Sequence, residues 1–525
     1  MKAGIFVALF VIAFITVPLF SLFLASGTLS GEQTASLSEI WNSSYIRRVL
    51  FFSLWQAFLS TLLSITLAII VSRAFARYPN FPFRSFFLSL FGLPLIVPAV
   101  VAVIGIITVY GKSGWLPIGS NLYGLFGILL AHVFFNLPLA VRLFVPVWNQ
   151  IPEQHWRIAS QLKFNSTQQW KHIEWPALRE SLPSVALLIF MLCLTSFAVV
   201  LTLGGGPKST TVEVAIYQSL RFDFDPAQAV VLALLQLGLS ILVAIIASRF
   251  NKIPDVEPDL NIKNAKHQSE TGKLDKILQI TFIVFAILFV STPLLAIFID
   301  AARGPIISVL SERNLWMATA FSLVIGLSAA TISLILSWFL LNASARASYQ
   351  NKSNLSQWLL LSGSIIFVVP PLVIGTGLFI LLADFINVFD WAILIVILIN
   401  GLLGIPFIIR TLGPEIRQNT MKYQRLCDSL NLKGWQRFKH LDFPLLRKPL
   451  GLSAALVTVF TMGDLGIIAL FGSPETATLP LLLYQRLGAY QIPQAAVTAA
   501  FLLLISLITF WLLEKIIGGK TQRDL

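Results

Sequence analysis

The sequence predicts an all-α membrane protein of about twelve transmembrane helices, arranged as two parallel six-helix repeats. Three observations carry that expectation. Of 525 residues, 56% are hydrophobic and only 12% are charged, where soluble domains average about 25% charged. Apolar runs long enough to cross a bilayer recur along the whole chain. A shift of 268 positions also lays the prolines of the first half on those of the second, Pro138 on Pro406 and Pro176 on Pro444. This composition excludes a conventional water-soluble enzyme and a disordered scaffold.

The candidate helices cover residues 5–24, 49–71, 86–109, 122–147, 183–203, 228–247, 277–300, 315–341, 358–382, 391–412, 451–470 and 494–517. In lipid the backbone must satisfy its own hydrogen bonds, so such runs become helices. The first run is longer than a usual signal-peptide core and has a counterpart at 277–300, so it reads as a retained span. Lys and Arg concentrate in alternate connections, with Arg73, Arg77 and Arg84, then Arg157 to Arg179, then Arg417 to Lys448. The positive-inside rule then places both termini in the cytoplasm. It also accounts for the net charge of +13 without nucleic acid. The two cysteines, Cys193 and Cys427, exclude a disulfide framework.

The duplication organises the chain. Arg142, Arg157 and Arg179 meet Arg410, Arg425 and Arg447 at the same shift, and Trp170–Pro176 faces Phe438–Pro444. Val97-Pro98 matches Val369-Pro370 at a slightly larger shift. Residues 1–248 form the first half and 277–525 the second. The polar segment 249–276, rich in Pro, Asn, Gln and Ser, reads as a cytoplasmic linker. Six helices per copy return the chain to its starting side, so the copies are parallel.

Between the fourth and fifth helices of each copy lies a polar stretch, 150–182 and 418–450. Ile158, Leu162 and Trp170 punctuate the first, and Leu426, Leu430, Trp435 and Phe438 the second. That spacing predicts short amphipathic helices lying along the membrane surface. Pro176 and Pro444 then break the chain before it re-enters lipid. Because the stretch occurs twice at matched positions, it reads as a docking platform for cytoplasmic partners.

These stretches resemble the EAA loops of ABC importer permeases. In that family the loop has Glu-Ala-Ala, a Gly four positions later, and a final apolar-Pro pair. Here Arg157, Ile158 and Ala159 take the first three places and Lys163 the Gly place; Arg425, Leu426, Cys427 and Asn431 do so in the second copy. Neither Glu nor Gly is kept, but Trp175-Pro176 and Phe443-Pro444 preserve the final element. Residues 190–230, with Thr195-Ser196-Phe197 and Gly204-Gly205-Gly206-Pro207, resemble thiamine ABC transporter permeases, as do Met462-Gly463-Asp464 and Phe471-Gly472-Ser473-Pro474.

The resemblance implies the translocation subunit of an ATP-driven importer in the bacterial inner membrane, with no enzymatic activity of its own. Two ATPase subunits, carrying ATP and Mg, would dock at Arg157, Ile158, Ala159, Leu162, Lys163, Arg425, Leu426, Cys427, Leu430 and Asn431. A periplasmic binding protein would deliver thiamine, a small cationic substrate, or its phosphate esters, and the loop Arg221–Pro226 is a candidate contact for it. Thr195, Ser196, Phe197, Met462 and Asp464 are candidate path residues. A carboxylate in lipid costs about 2.5–3.5 kcal/mol, so Asp464 should face the interior, two-thirds along the eleventh helix. His132 and Asn400, at equivalent places, are expected to bond between helices, and Gly105 and Gly377 to permit close packing.

Gly204–Ser209 does not meet the P-loop rule, because Pro207 precedes Lys208 and Thr202 takes the first Gly place. No catalytic or metal-ligand constellation is present, so the chain itself should hold no cofactor. A fused ferric-iron importer and an ion-coupled secondary transporter remain open as alternatives.

Overall fold

The computed structural model describes residues 1–28, 43–78, 81, 83–117, 122–250, 273–473 and 475–519. The described residues are helical with short connections and contain no β-strand. The expected linker, 249–276, lies outside them except at its two ends.

The first repeat runs α1 (Lys2–Thr28), α2 (Ser44–Arg77), α3 (Arg84–Leu90), α4 (Leu93–Ile96), α5 (Ala99–Tyr110), α6 (Leu125–Asn149), α7 (Glu153–Gln161) and α8 (Ser166–Gln169). A five-residue π-turn, Trp170–Glu174, leads into α9 (Trp175–Leu194), α10 (Phe197–Leu203), α11 (Val212–Arg221) and α12 (Pro226–Ser248). The second repeat runs α13 (Lys273–Arg303), α14 (Ile306–Ser311), α15 (Arg313–Tyr349), α16 (Ser353–Ser364), α17 (Pro371–Ala383), α18 (Ala392–Leu403), α19 (Ile405–Ser429) and α20 (Gly434–Arg437). A second π-turn, Phe438–Asp442, precedes α21 (Phe443–Met462), α22 (Gly466–Phe471), α23 (Leu479–Gly488) and α24 (Ile492–Gly518).

Ten helical runs among the described residues are long and apolar enough to span, and two bent pairs bring the total to twelve. The third and ninth expected spans are those bent pairs: they turn by 111° and 84° between residues 96 and 99 and between 367 and 371. The Val-Pro pairs cause the break. Proline lacks an N–H and pushes its predecessor out of the α region, and Pro98 and Pro370 sit at ψ 136° and 140°, extended rather than helical. The sequence comparison aligned these prolines without reading them as breaks.

The chain packs as two compact units that do not follow the sequence halves. One unit comprises Met1–Ile40, Ala215–Gly238 and Gly304–Leu525; the other comprises Trp41–Val214 and Leu239–Arg303. In the first, α1 lies against α15, α16 and α17 of the opposite repeat. In the second, α13 lies against α2 and α5. The first helix of each repeat is thus exchanged. Both exchanges use the same contact: a Cβ at Gly377 would collide with the Pro18 carbonyl oxygen, and one at Gly105 with that of Pro293. Ser21 Oγ adds a hydrogen bond to the Gly377 carbonyl at 2.8 Å. The two glycines permit close helix approach, as expected.

A similar contact occurs in each half of the sequence. Ser53 Oγ accepts from Val212 N, and Ser322 Oγ accepts from Leu479 N, both at 2.9 Å. Each hydroxyl satisfies an N–H at the start of an equivalent helix that the helix cannot satisfy itself.

Candidate functional site

In the first repeat α6 ends at Asn149, the chain turns at Ile151-Pro152, and α7 forms a separate elbow helix. The second repeat differs. Thr420 stands where the first copy has Pro152, and α19 continues without a break through Ser429. The second elbow is therefore the end of a long helix, not the independent surface helix expected from its composition. The physical reason is the missing proline: Thr420 keeps its N–H in the helical ladder.

Both elbows end in the same turn. Leu162 caps the end of the first, Lys163 follows at φ 54°, and Phe164 N donates to Ala159 O at 2.9 Å while Lys163 N donates to Ser160 O at 3.1 Å. In the second, Asn431 sits at φ 52°, Leu432 N donates to Cys427 O at 2.8 Å, and Asn431 N donates to Asp428 O at 3.3 Å. These paired bonds around a left-handed residue are the Schellman arrangement, which normally favours glycine. Lys163 and Asn431 occupy the places where the loop pattern has Gly. The glycine conformation is retained although the glycine is not. Asn tolerates it readily, whereas Lys does so at a cost of about 1–2 kcal/mol.

The elbows differ from ordinary amphipathic helices in what they expose. Ile158 and Leu162 are 52% and 61% exposed, and Leu426 and Leu430 are 49% and 60% exposed. Trp435 is exposed as well. Ala159 and Cys427 are buried. Arg157 and Arg425 are exposed, and Arg157 bridges Glu153 one turn away at 3.0 Å. Such an exposed pair contributes at most about 1 kcal/mol to stability. The free apolar side chains and the basic residue thus point away from the protein at matched places in both repeats.

Behind each elbow lies a buried ionic contact that the sequence reading missed. Glu174, the last residue of the first π-turn, accepts from Arg73 Nε at 2.8 Å and from Arg77 Nη2 at 2.9 Å. The Arg73 guanidinium also lies over the Trp170 ring, 5.1 Å from its centroid. In the second copy Asp442 pairs with Arg437 at 3.2 Å, and Arg437 donates to Gln424 Oε1 at 2.7 Å and to Thr420 Oγ1 at 3.3 Å. The Trp338 ring meets Phe438 edge-on at 5.0 Å. The available signal was an acidic residue facing an acidic residue at the 268 shift, immediately before an aromatic-Pro pair at the edge of an apolar run.

The candidate path residues lie at helix breaks. Thr195 and Ser196 separate α9 from α10, and buried Phe197 begins α10. Met462 ends α21 and is buried, and Asp464 lies in the gap before α22. Asp464 is not two-thirds along a continuous helix, as the sequence suggested. Gly463 and Gly466 flank it, and its carboxylate accepts from Gly466 N at 3.1 Å and Ile467 N at 3.4 Å, capping α22. Asn400 Nδ2 donates to it from α18 at 3.3 Å. At the equivalent place His132 Nδ1 meets Ser60 Oγ at 2.8 Å. His132 thus bonds between helices, as expected, whereas Asn400 bonds from α18 to the break that holds Asp464. Cys193 and Cys427 are buried and unpaired.

A family model described as "Binding-protein-dependent transport system inner membrane component" matches residues 343–517. The chain is 40% identical over 488 residues to the thiamine transport system permease protein ThiP of Brucella abortus strain 2308, covering 91% of this chain and 89% of that protein. It is 40% identical over 494 residues to ThiP of Escherichia coli K12, with 92% of each chain covered. To ThiP of Haemophilus influenzae it is 38% identical over 520 residues, covering 97% and 94%. No solved structure matches.

Proposed function

We propose, from the finding that this chain belongs to the thiamine transport system permease family of binding-protein-dependent transporters, that it carries thiamine across the bacterial inner membrane. It is a multi-pass transport subunit of an ABC importer and not an enzyme. In this reading two ATPase subunits grip the elbows, a periplasmic binding protein delivers thiamine or its phosphate esters, and both termini face the cytoplasm. ATP and Mg are held on the ATPase chains. Closure of the ATPase pair moves both elbows and switches the path from inward-facing to outward-facing.

The observation that carries the reading is the pair of Schellman-ended elbows exposing Ile158 and Leu162, and Leu426 and Leu430. Large exposed apolar side chains rimmed by charge mark interaction sites. Docking then rests on shape and apolar burial, with Arg157 and Arg425 where the loop pattern has Glu. A partner built for this chain therefore presents acidic or neutral groups there. Reversing both charges, Arg157→Glu with Arg425→Glu, is expected to abolish copurification of the ATPase; intact copurification would move the docking site elsewhere.

Thr195, Ser196, Phe197, Met462 and Asp464 are assigned to the path because helix breaks free backbone groups that spanning helices tie up. Growth of a thiamine auxotroph on limiting vitamin, with and without this chain, tests the substrate. Restored growth supports thiamine; equal growth in both strains, with the protein present in the membrane, refutes it.

A further inference from the structure

The two elbows are wired to the bundle differently. The second elbow is the continuation of α19, so a push on Leu426 or Leu430 travels along one unbroken helix. The first elbow has no such continuation, because Ile151-Pro152 separates α7 from α6. Its firm attachment lies on the far side of α8, at the π-turn Trp170–Glu174. There Glu174 is gripped by Arg73 and Arg77 of α2, about a hundred positions earlier in the chain. Glu174 and Arg77 are almost fully buried, so the contact is stiff and weakly screened. In the second copy Arg346 of α15 also attracts Asp442, but the guanidinium that pairs with it directly comes from elsewhere. Asp442 instead takes its guanidinium from Arg437, five residues back, which turns toward the elbow through Thr420 and Gln424. A π-turn is a local register defect, common at functional sites and able to absorb or pass on a shift.

We propose that Glu174 is a positioning residue: held by Arg73 and Arg77, it transmits displacement of the first elbow into α2, while the second elbow transmits through the continuous α19. This rests on the reading of the elbows as ATPase docking sites. The prediction is a difference between repeats. Glu174→Gln keeps the shape, removes the charge, and uncouples ATP hydrolysis from transport. Asp442→Asn lowers coupling by much less. Glu174→Asp keeps the carboxylate and recovers most of the loss.

The test reconstitutes the complete complex, with its ATPase and thiamine-loaded binding protein, in proteoliposomes. It measures thiamine taken up per ATP hydrolysed, together with the amount of ATPase that copurifies. Mutations along a coupling route change it by about two- to thirtyfold. A loss in that range for Glu174→Gln, at wild-type copurification and with a smaller loss for Asp442→Asn, supports the proposal. Unchanged coupling in Glu174→Gln, or equal losses in the two variants, overturns it. If Glu174→Gln does not assemble, Arg73→Gln leaves Arg77 to neutralise the carboxylate and decides in its place, loss of coupling supporting and normal coupling refuting. Failure of the wild-type complex to take up thiamine would instead remove the functional reading itself.

Discussion

Truncating one leucine on each elbow, Leu162→Ala with Leu430→Ala, isolates the apolar part of docking. Fully burying a leucine side chain is worth about 1.5–3 kcal/mol, and Ala keeps one of its carbons. Leu162 and Leu430 are 61% and 60% exposed, so a partner has a little over half of each side chain left to cover. Each truncation then removes roughly 1 kcal/mol of docking energy. The two sites share no partners and belong to different compact units, so the losses add, to about 2 kcal/mol. That is about a fivefold weakening at each elbow, and roughly thirtyfold for an ATPase pair that binds both elbows as a unit. The fold itself should be unaffected, since exposed substitutions away from special features change stability by about 0.5 kcal/mol or less. Binding of the purified ATPase to the permease in nanodiscs, with thermal stability measured in parallel, reads both quantities. Wild-type affinity in the double variant would refute the idea that these leucines anchor the motor. A large drop in thermal stability would show instead that they serve the fold.

Three further outcomes follow from the geometry. Lys163→Gly relieves about 1–2 kcal/mol of left-handed strain against about 0.4–1 kcal/mol of added unfolded-state freedom, so hydrogen exchange at the Phe164 amide should slow, while Asn431→Gly leaves the Leu432 amide nearly unchanged. In Asp464→Asn, an NH2 group must face one of the N–H donors that now meet the carboxylate, Gly466, Ile467 or Asn400. That costs about 1–3 kcal/mol, visible as a lower denaturation temperature, and an unshifted transition would show that these bonds are not formed. Gly377→Leu drives a side chain into the Pro18 carbonyl; overpacking costs about 1–3 kcal/mol, and proteolysis between α1 and α2 should accelerate unless α1 does not pack there.

The spanning runs were legible because bilayer thickness acts on local sequence. The apolar runs followed from apolar length, and the short polar helical stretches between them from local composition. Proline's steric effect at Val97-Pro98 and Val369-Pro370 was equally local, yet the apolar run on either side masked it. The exchange of α1 and α13 was not legible. Which repeat a first helix packs against depends on contacts such as Gly377 with Pro18, hundreds of residues apart. Asp464 was noticed for its charge but misplaced, since two flanking glycines open a gap that hydropathy alone reads as continuous helix. The Glu174 clamp escaped because its arginines sit at the end of α2, where topology counting had already explained them. The left-handed turn at Lys163 and Asn431 was hidden for the opposite reason: the missing glycine suggested a changed loop, while the backbone kept its conformation.

The most direct measurement is ATP-dependent accumulation of labelled thiamine in proteoliposomes containing this chain, its ATPase and its binding protein. Accumulation that requires ATP, the binding protein and an undamaged pair of elbows is the expected result. Uptake that proceeds without ATP, or that survives disruption of both elbows, would contradict an importer driven through those two projections.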